Sequence, residues 1–224
     1  MSPHLCVRRL IAGSGDARLR IDVAPPNPQP AVTQLSSPLP RTPDGPQPTL
    51  HTERLILRPF APADAAEVHG IVSDREIAYN TAHIPHPYPD GMALEWIERV
   101  AARWATGESA VFAATERGAG RIVCAAGLEI DPPHRRGELG YWVARPFWNC
   151  GYASEAARAV VAFGFRELGL NRVAAHHYSR NPASGRVMQK IGMTYEGKMR
   201  KHVLKWGEFE DIDFYGILAD EMRA

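Results

Sequence analysis

Large apolar side chains are almost absent between Pro25 and Pro48 and become periodic from Thr49 onward. RLILRPF, Arg54 to Phe60, alternates apolar and polar positions as a half-buried strand does. PADAAEVHGIVSD, from Pro62 to Asp74, reads as a helix with proline near its first turn. ALEWIERVAARWA then sets Leu94, Ile97, Ala101 and Trp104 at helical spacing, so Trp96 and Trp104 are assigned to helix packing. Strands are predicted over 110–116, 121–130 and 137–144, with the turn-rich RGAG between the first two suiting a hairpin. A helix running to about Leu168 follows, then a strand over 172–179 and a helix from about Pro182 to Ile191. Two strand-like segments, TYEGKMRKHVLK and EDIDFYGIL, complete the pattern. The order β α α β β β α β α β β predicts an α+β, or mixed α/β three-layer, domain with helices packed on a central sheet.

Composition changes that picture mainly at the N-terminus. Nine of the 19 prolines fall between Pro25 and Pro48, so residues 1–48 are expected to be a proline-rich, disordered tail and 49–224 the folded domain. PLPRTP within the tail is the part to test as a ligand for a proline-reading module. The short, Arg-interrupted LCVRRLIAG does not fit a secretory signal, and Asp16 and Asp22 weaken an organelle address. With 26 basic and 25 acidic residues the chain lacks the footprint of a dedicated nucleic-acid binder. No run approaches the length of a membrane span. Cys6, Cys124 and Cys150 have no paired spacing, which disfavours a disulfide framework or zinc knuckle and suits a reducing cytoplasm.

The chemistry concentrates in FWNCGYASEAARAVVAFGF, Phe147 to Phe165, where a small-residue turn precedes an amphipathic helix. Free N–H groups at such a helix start make an anion site. Gly137 to Phe165 resembles the acyl-CoA-binding motif of the GNAT family of N-acetyltransferases: Gly151 and Ala153 match the family turn, while Trp148 stands where Gln or Arg is usual. The combination FW, GYA and EA, with PYP and ALEWI before the central strands, looks like the ribosomal-protein-alanine acetyltransferase branch. A second motif, NPASGRVMQKIGM from Asn181 to Met193, resembles the family's Asn-x-x-Ser segment and follows in the right order. A Rossmann or P-loop site is disfavoured by the absence of their glycine and lysine patterns.

The resemblance implies the GNAT acyl-CoA N-acyltransferase fold, whose mostly antiparallel sheet splays at the cofactor site with helices on both faces. It implies acetyl-CoA as co-substrate, with Tyr141, Trp142 and Val143 along the pantetheine arm. Asn149, Cys150, Gly151, Tyr152, Ala153 and Ser154 would surround the pyrophosphate, and Asn181 and Ser184 would flank the arm. The Val143 amide would polarise the thioester carbonyl. Glu138 is the first choice as general base, with an exposed strand-end carboxylate as the equal alternative, and shares a strand face with Gly140 and Trp142. Ser184 is the motif-placed proton donor to the thiolate, with Tyr178 and Tyr195 as alternatives and helix capping as its structural reading. Tyr88, Glu210 and Asp211 are the expected acceptor-side residues. Cys150 has no base placed beside it and is not read as a nucleophile. His176 and His177 should point to opposite faces of their strand, His83 and His86 sit in a proline-broken loop, and the reaction needs no metal. Direct attack by a primary amine is expected, the acceptor being a protein N-terminus or a small amine, amino acid or antibiotic. A monomer or homodimer is expected, and a non-catalytic acyl-CoA sensor or scaffold is the reading from another class.

Overall fold

The computed structural model describes residues 45–222. The tail expected over 1–48 lies, up to residue 44, outside the described residues. At its end, the Gly45 carbonyl accepts the Trp104 indole N–H at 3.1 Å, and the Gln47 side-chain amide donates to the Val111 carbonyl at 2.9 Å. That contact gives the otherwise buried Trp104 the acceptor that its ring nitrogen needs.

Strand β1 (Leu50–His51) turns into β2 (Leu55–Pro59), and α1 (Ala65–Val72), α2 (Arg75–Asn80) and α3 (Met92–Ala105) follow. The helix predicted over 62–74 is in fact a short 3-10 turn at Pro62–Asp64 plus α1, and α2 is a separate piece. The chain breaks there because Asp74 is extended and its carboxylate accepts the Glu76 N–H at 2.8 Å, starting a new helix as its cap. Next come β3 (Ser109–Glu116), β4 (Ile122–Asp131) and β5 (Arg136–Val143). After α4 (Tyr152–Arg166), the chain continues through β6 (Arg172–Tyr178), α5 (Pro182–Lys190), β7 (Thr194–Lys205) and β8 (Glu208–Leu218).

The strands form one sheet in the order β1-β2-β3-β4-β5-β6-β8-β7, with every neighbouring pair antiparallel except β5 and β6. Strands β3 and β4 are almost continuously buried because helices cover both faces of the sheet. On one face Phe60, Val68, Val72 and Ile97 pack on Ala113 and Ala125. On the other, Val160, Phe163 and Met188 join Leu57, Phe112 and Leu128. Phe112 is fully buried, and truncating it to Ala should cost about 3–5 kcal/mol.

One feature of the sheet creates the site. Strands β5 and β6 are in register only at Arg136↔Arg172, Gly137↔Val173 and Glu138↔Ala174. Beyond Glu138, β5 stays on β4 as far as Val143, while β6 stays on β8 as far as Tyr178. The two strands therefore part in the middle of the sheet, and each keeps one unshared edge.

Candidate active site

The loop after β5 is shaped by backbone geometry. A one-turn 3-10 helix at Arg145–Phe147 leads into Asn149 with φ 63° and Gly151 with φ 83°, and α4 begins at once. A left-handed residue at the helix entry suits glycine, which has no Cβ to crowd the carbonyl. The first helical bond is Glu155 N–H to the Gly151 carbonyl, so the amides of Tyr152, Ala153 and Ser154 have no helical partner.

Behind the loop stands a brace. Arg54 donates to the Cys150 carbonyl at 2.9 Å and to Glu155 at 2.7 Å, and its guanidinium lies over the Tyr152 ring. Glu155 also accepts the Thr52 hydroxyl at 2.6 Å and the Arg54 N–H at 2.8 Å. Burial opposes ionisation of Glu155, but the bonds from Thr52 and Arg54 outweigh it and hold the carboxyl below its usual range. The acid in the first turn thus anchors α4 to the β1–β2 edge.

In front of the loop runs a groove of about 250 Å³. Its walls include Tyr141, Trp142 and Val143 on β5, Asn149, Gly151, Tyr152, Ala153 and Ser154 at the helix entry, and Asn181 and Ser184 on the other side. Arg186 and Lys190 of α5, which sequence reasoning missed, line it as well. They are four residues apart on α5, a spacing that puts both on one exposed stripe of the helix. Cys150 lies outside the groove: its thiol is exposed and its carbonyl is held by Arg54.

Along β5 the Ala144 N–H bonds to the Val123 carbonyl on β4, so by strand alternation the Val143 and Tyr141 amides face the gap. Trp148 donates its indole N–H to the Val143 carbonyl at 2.8 Å. The residue that departs from the family pattern is therefore the tie between the loop and the strand end. Across the gap, the Tyr141 hydroxyl lies 2.8 Å from the Ser184 hydroxyl and donates to the Ser184 carbonyl at 3.0 Å. Asn181 caps α5 by accepting the Ser184 N–H at 3.4 Å. Burial pushes the Tyr141 phenol up to about 12, so it stays protonated at neutral pH.

A second cavity, of about 360 Å³, opens on the α1–α3 side and meets the groove at Asn80, Thr81, Tyr141, Trp142 and Ser184. Val68, Val72, Ile84, Tyr88, Met92, Trp96 and Trp142 give it an apolar and aromatic lining. Its polar groups include Glu138, His176, His83, Arg99 and Tyr178. Glu138 lies with its Oε1 3.0 Å from His176 Nδ1. The hydrogen bond from His176, opposed by partial burial, keeps the Glu138 carboxyl below its usual range. His177 takes the opposite face, where a Cβ at Gly185 would come within 2.6 Å of its Nε2. Only glycine lets α5 approach β6 that closely.

The cavity wall is tied down from the distant hairpin. Buried Lys205 donates to the carbonyls of Thr81 at 2.7 Å and Ile84 at 3.2 Å. Arg180 donates to the Tyr79 carbonyl, to Asn80 and to Glu210, and stacks on the Tyr79 and Tyr178 rings. Of the acceptor-side residues expected from sequence, Tyr88 lines the cavity. Glu210 and Asp211 do not: the first is taken by Arg180 at 2.7 Å, and the second accepts the Lys201 N–H at 2.8 Å on the exposed hairpin. Tyr195, an alternative proton donor, lines neither recess: it is exposed on β7 and bonds Asp213.

The model of the "Acetyltransferase (GNAT) domain" matches residues 54–194. The chain belongs to the GNAT acetyltransferase family. The uncharacterized N-acetyltransferase YoaA of Bacillus subtilis is 30% identical over 172 residues, which are 76% of this chain and 97% of that protein. The crystal structure of a GNAT-family acetyltransferase from Bacillus anthracis superposes with a TM-score of 0.68 at 29% identity, over 77% of this chain and 99% of that one. RimL, a ribosomal L7/L12 α-N-protein acetyltransferase in complex with coenzyme A, shares the fold at a TM-score of 0.70 and 17% identity, over 76% of this chain and 97% of its own. This GNAT chain is an N-acetyltransferase, and its mixed sheet with helices on both faces is the one the motifs implied.

Proposed function

We propose that the chain transfers an acetyl group from acetyl-CoA to the N-terminal α-amine of a protein or peptide. The observation that carries this reading is the junction of the two recesses at Tyr141, Trp142 and Ser184, where a thioester in the groove and an amine in the cavity would meet. The groove fits a pyrophosphate-bearing arm: the partnerless amides of Tyr152, Ala153 and Ser154 point their dipoles at one end, with Arg186 and Lys190 nearby. The open β5 edge offers the Tyr141 and Val143 amides to an extended, amide-bearing chain. When bound, acetyl-CoA supplies the activated acyl group.

The residues then divide the work. The Val143 N–H, aimed into the gap, donates to the acyl oxygen as charge develops there, a contribution of about 2.7–4 kcal/mol. Trp148 holds that strand end in place through the Val143 carbonyl. The Ser184 hydroxyl, fixed by Tyr141, stands ready to protonate the departing sulfur. The ammonium of the acceptor has to lose a proton on the Glu138 side of the cavity before its lone pair can attack.

Two features of the cavity favour an acceptor with one amine and an apolar body. Its lining is dominated by Val68, Val72, Ile84, Tyr88, Met92 and Trp96. Of the carboxylates that line it, Glu129 is paired with Arg103 and Glu138 with His176. A polyamine would bring several ammonium groups to a site with no second free acid, and each unmatched charge would lose its hydration. RimL offers a precedent for the fold acting on a protein α-amine.

The test follows thiol release from acetyl-CoA against peptides with free Ala, Ser or Met N-termini, polyamines, amino acids and aminoglycosides. Release with peptides supports the reading; release with one small amine alone moves the acceptor to that class. Coenzyme A binding without turnover on any amine would favour a sensor.

A further inference from the structure

The Glu138–His176 pair stands where the sheet opens. Glu138 is the last β5 residue in register with β6, and His176 lies two residues beyond its partner, Ala174. Leu139 and Tyr141 pack with the α4 side of the sheet and Trp142 with the α1–α3 side, so Glu138, Gly140 and Trp142 face the acceptor cavity. Val173 and Ala175 belong to the α4-side core, which puts His176 on the same face as Glu138. Both line the cavity, and the imidazole also lies against Phe214 of β8 at 5.4 Å between ring centroids.

We infer that His176, through Nε2, is the group that takes the proton from the acceptor amine, and that Glu138 is the positioning residue that holds its ring. The inference rests on the acetyltransfer reading above and extends it. With Nδ1–H donated to the Glu138 carboxylate, the neutral ring keeps its lone pair on Nε2, for which no protein partner exists among the described residues. The imidazole is the better base here, since it keeps a lone pair with no protein partner, whereas the Glu138 carboxylate is tied to a donor and held below its usual range. The protons balance: an ammonium and a thioester yield an amide, a thiol and one free proton. The free proton leaves through His176 to solvent at the cavity mouth, and the other is left to the sulfur.

Other charged groups around the pair set the background. Glu129 of β4 is directly opposite Glu138 and is paired with Arg103. Arg136 on β5 and His83 in the loop before α3 both favour the Glu138 carboxylate, and His202 of β7 packs on the far side of Phe214. Glu138 carries the charge that an imidazolium at His176 would face, and Gln in its place keeps a hydrogen-bond acceptor without that charge.

The experiment compares wild type, His176→Gln and Glu138→Gln. His176→Gln should lower kcat by about 10²-fold at pH 7 with the acetyl-CoA KM and coenzyme A affinity unchanged, and should lose the ascending limb of the pH profile. Glu138→Gln should lose less and shift that limb to lower pH. A Glu138→Gln loss as large as or larger than that of His176→Gln, with no shift, would overturn the assignment and make Glu138 the base. A second readout needs no acceptor: NMR titration of the His176 ring, identified by its disappearance in His176→Gln, should show a fall in its midpoint in Glu138→Gln. An unchanged midpoint would also overturn the pairing. Failure of the acceptor reading looks different, because wild type would then turn over a small amine with the same pH limb.

Discussion

The two recesses that meet at Tyr141 are built from different materials. The groove that the proposed reading gives to the co-substrate is mostly backbone: a left-handed Gly151, the free amides that follow it, and the open edge of β5, all braced by one salt bridge between Arg54 and Glu155. The cavity that this reading gives to the acceptor is mostly side chains contributed by α1, α2, α3, β4, β5 and β6, and it keeps its shape through long-range ties from Lys205 and Arg180. A site made of amides binds what every co-substrate molecule has in common. One made of side chains can be changed to suit a new acceptor while the chemistry next to it stays put.

That contrast can be broken first at Gly151. A Val there would have to hold φ 83° with its Cβ facing the Arg54 guanidinium at 3.4 Å. The strain of about 1–3 kcal/mol should weaken coenzyme A binding by about ten- to a hundredfold by calorimetry, with the amine KM little changed. Equal damage to both constants would mean that the recesses are not separable.

The complementary change is Arg180→Met, which frees Glu210 and releases the Tyr79 carbonyl and Asn80 from the cavity wall. It should cost about 2 kcal/mol of stability by denaturant melts and raise the amine KM while leaving coenzyme A affinity intact. Tyr141→Phe sits at the junction itself. Removing the phenol from Ser184 should lower kcat by about 1 kcal/mol equivalent, and should leave the alkaline side of the pH profile up to pH 9 unchanged because the phenol titrates only near 12.

The smallest effect concerns the scaffold beneath the cavity. Asp64 accepts two bonds from Arg58 at 2.7 and 2.8 Å and one from the Ala61 N–H, and the Arg58 bond, against the cost of burial, depresses its carboxyl below the ordinary 3.8. A depressed folded value means a stabilising contribution that is full above the unfolded carboxyl's range and is lost as pH falls through the folded value. Thermal melts in acid should therefore show a slightly flatter decline for Asp64→Asn than for wild type.

The groove could be read in the chain and the cavity could not, and the reason is local against non-local structure. Gly151 and Ala153 carry their geometry in their own backbone, and Asn181 and Ser184 cap a helix that starts beside them, so short spacing was informative. The pairing of Glu138 with His176 depends on the register of two parallel strands joined through α4, which no local pattern encodes. The neighbouring histidines could be assigned to opposite faces, but not to Gly185 on one side and Glu138 on the other. Glu210 and Asp211 read as acceptor groups because they are acids on a late strand; Arg180, reaching across from the end of β6, and the bulged β7 backbone near Lys201 take them instead. In the chain Trp148 is only a departure from pattern, because its partner, the Val143 carbonyl, is met through the folded loop.

In the proposed function an acetyl group passes at the junction to the α-nitrogen of a peptide entering through the cavity. The most direct measurement incubates the protein with acetyl-CoA and a peptide that has both a free N-terminus and an internal lysine, and then locates the acetyl group by fragmentation mass spectrometry. Acetyl is expected on the α-nitrogen alone. Acetyl on the lysine side chain, or an unmodified peptide alongside an acetylated polyamine in the same mixture, would contradict it.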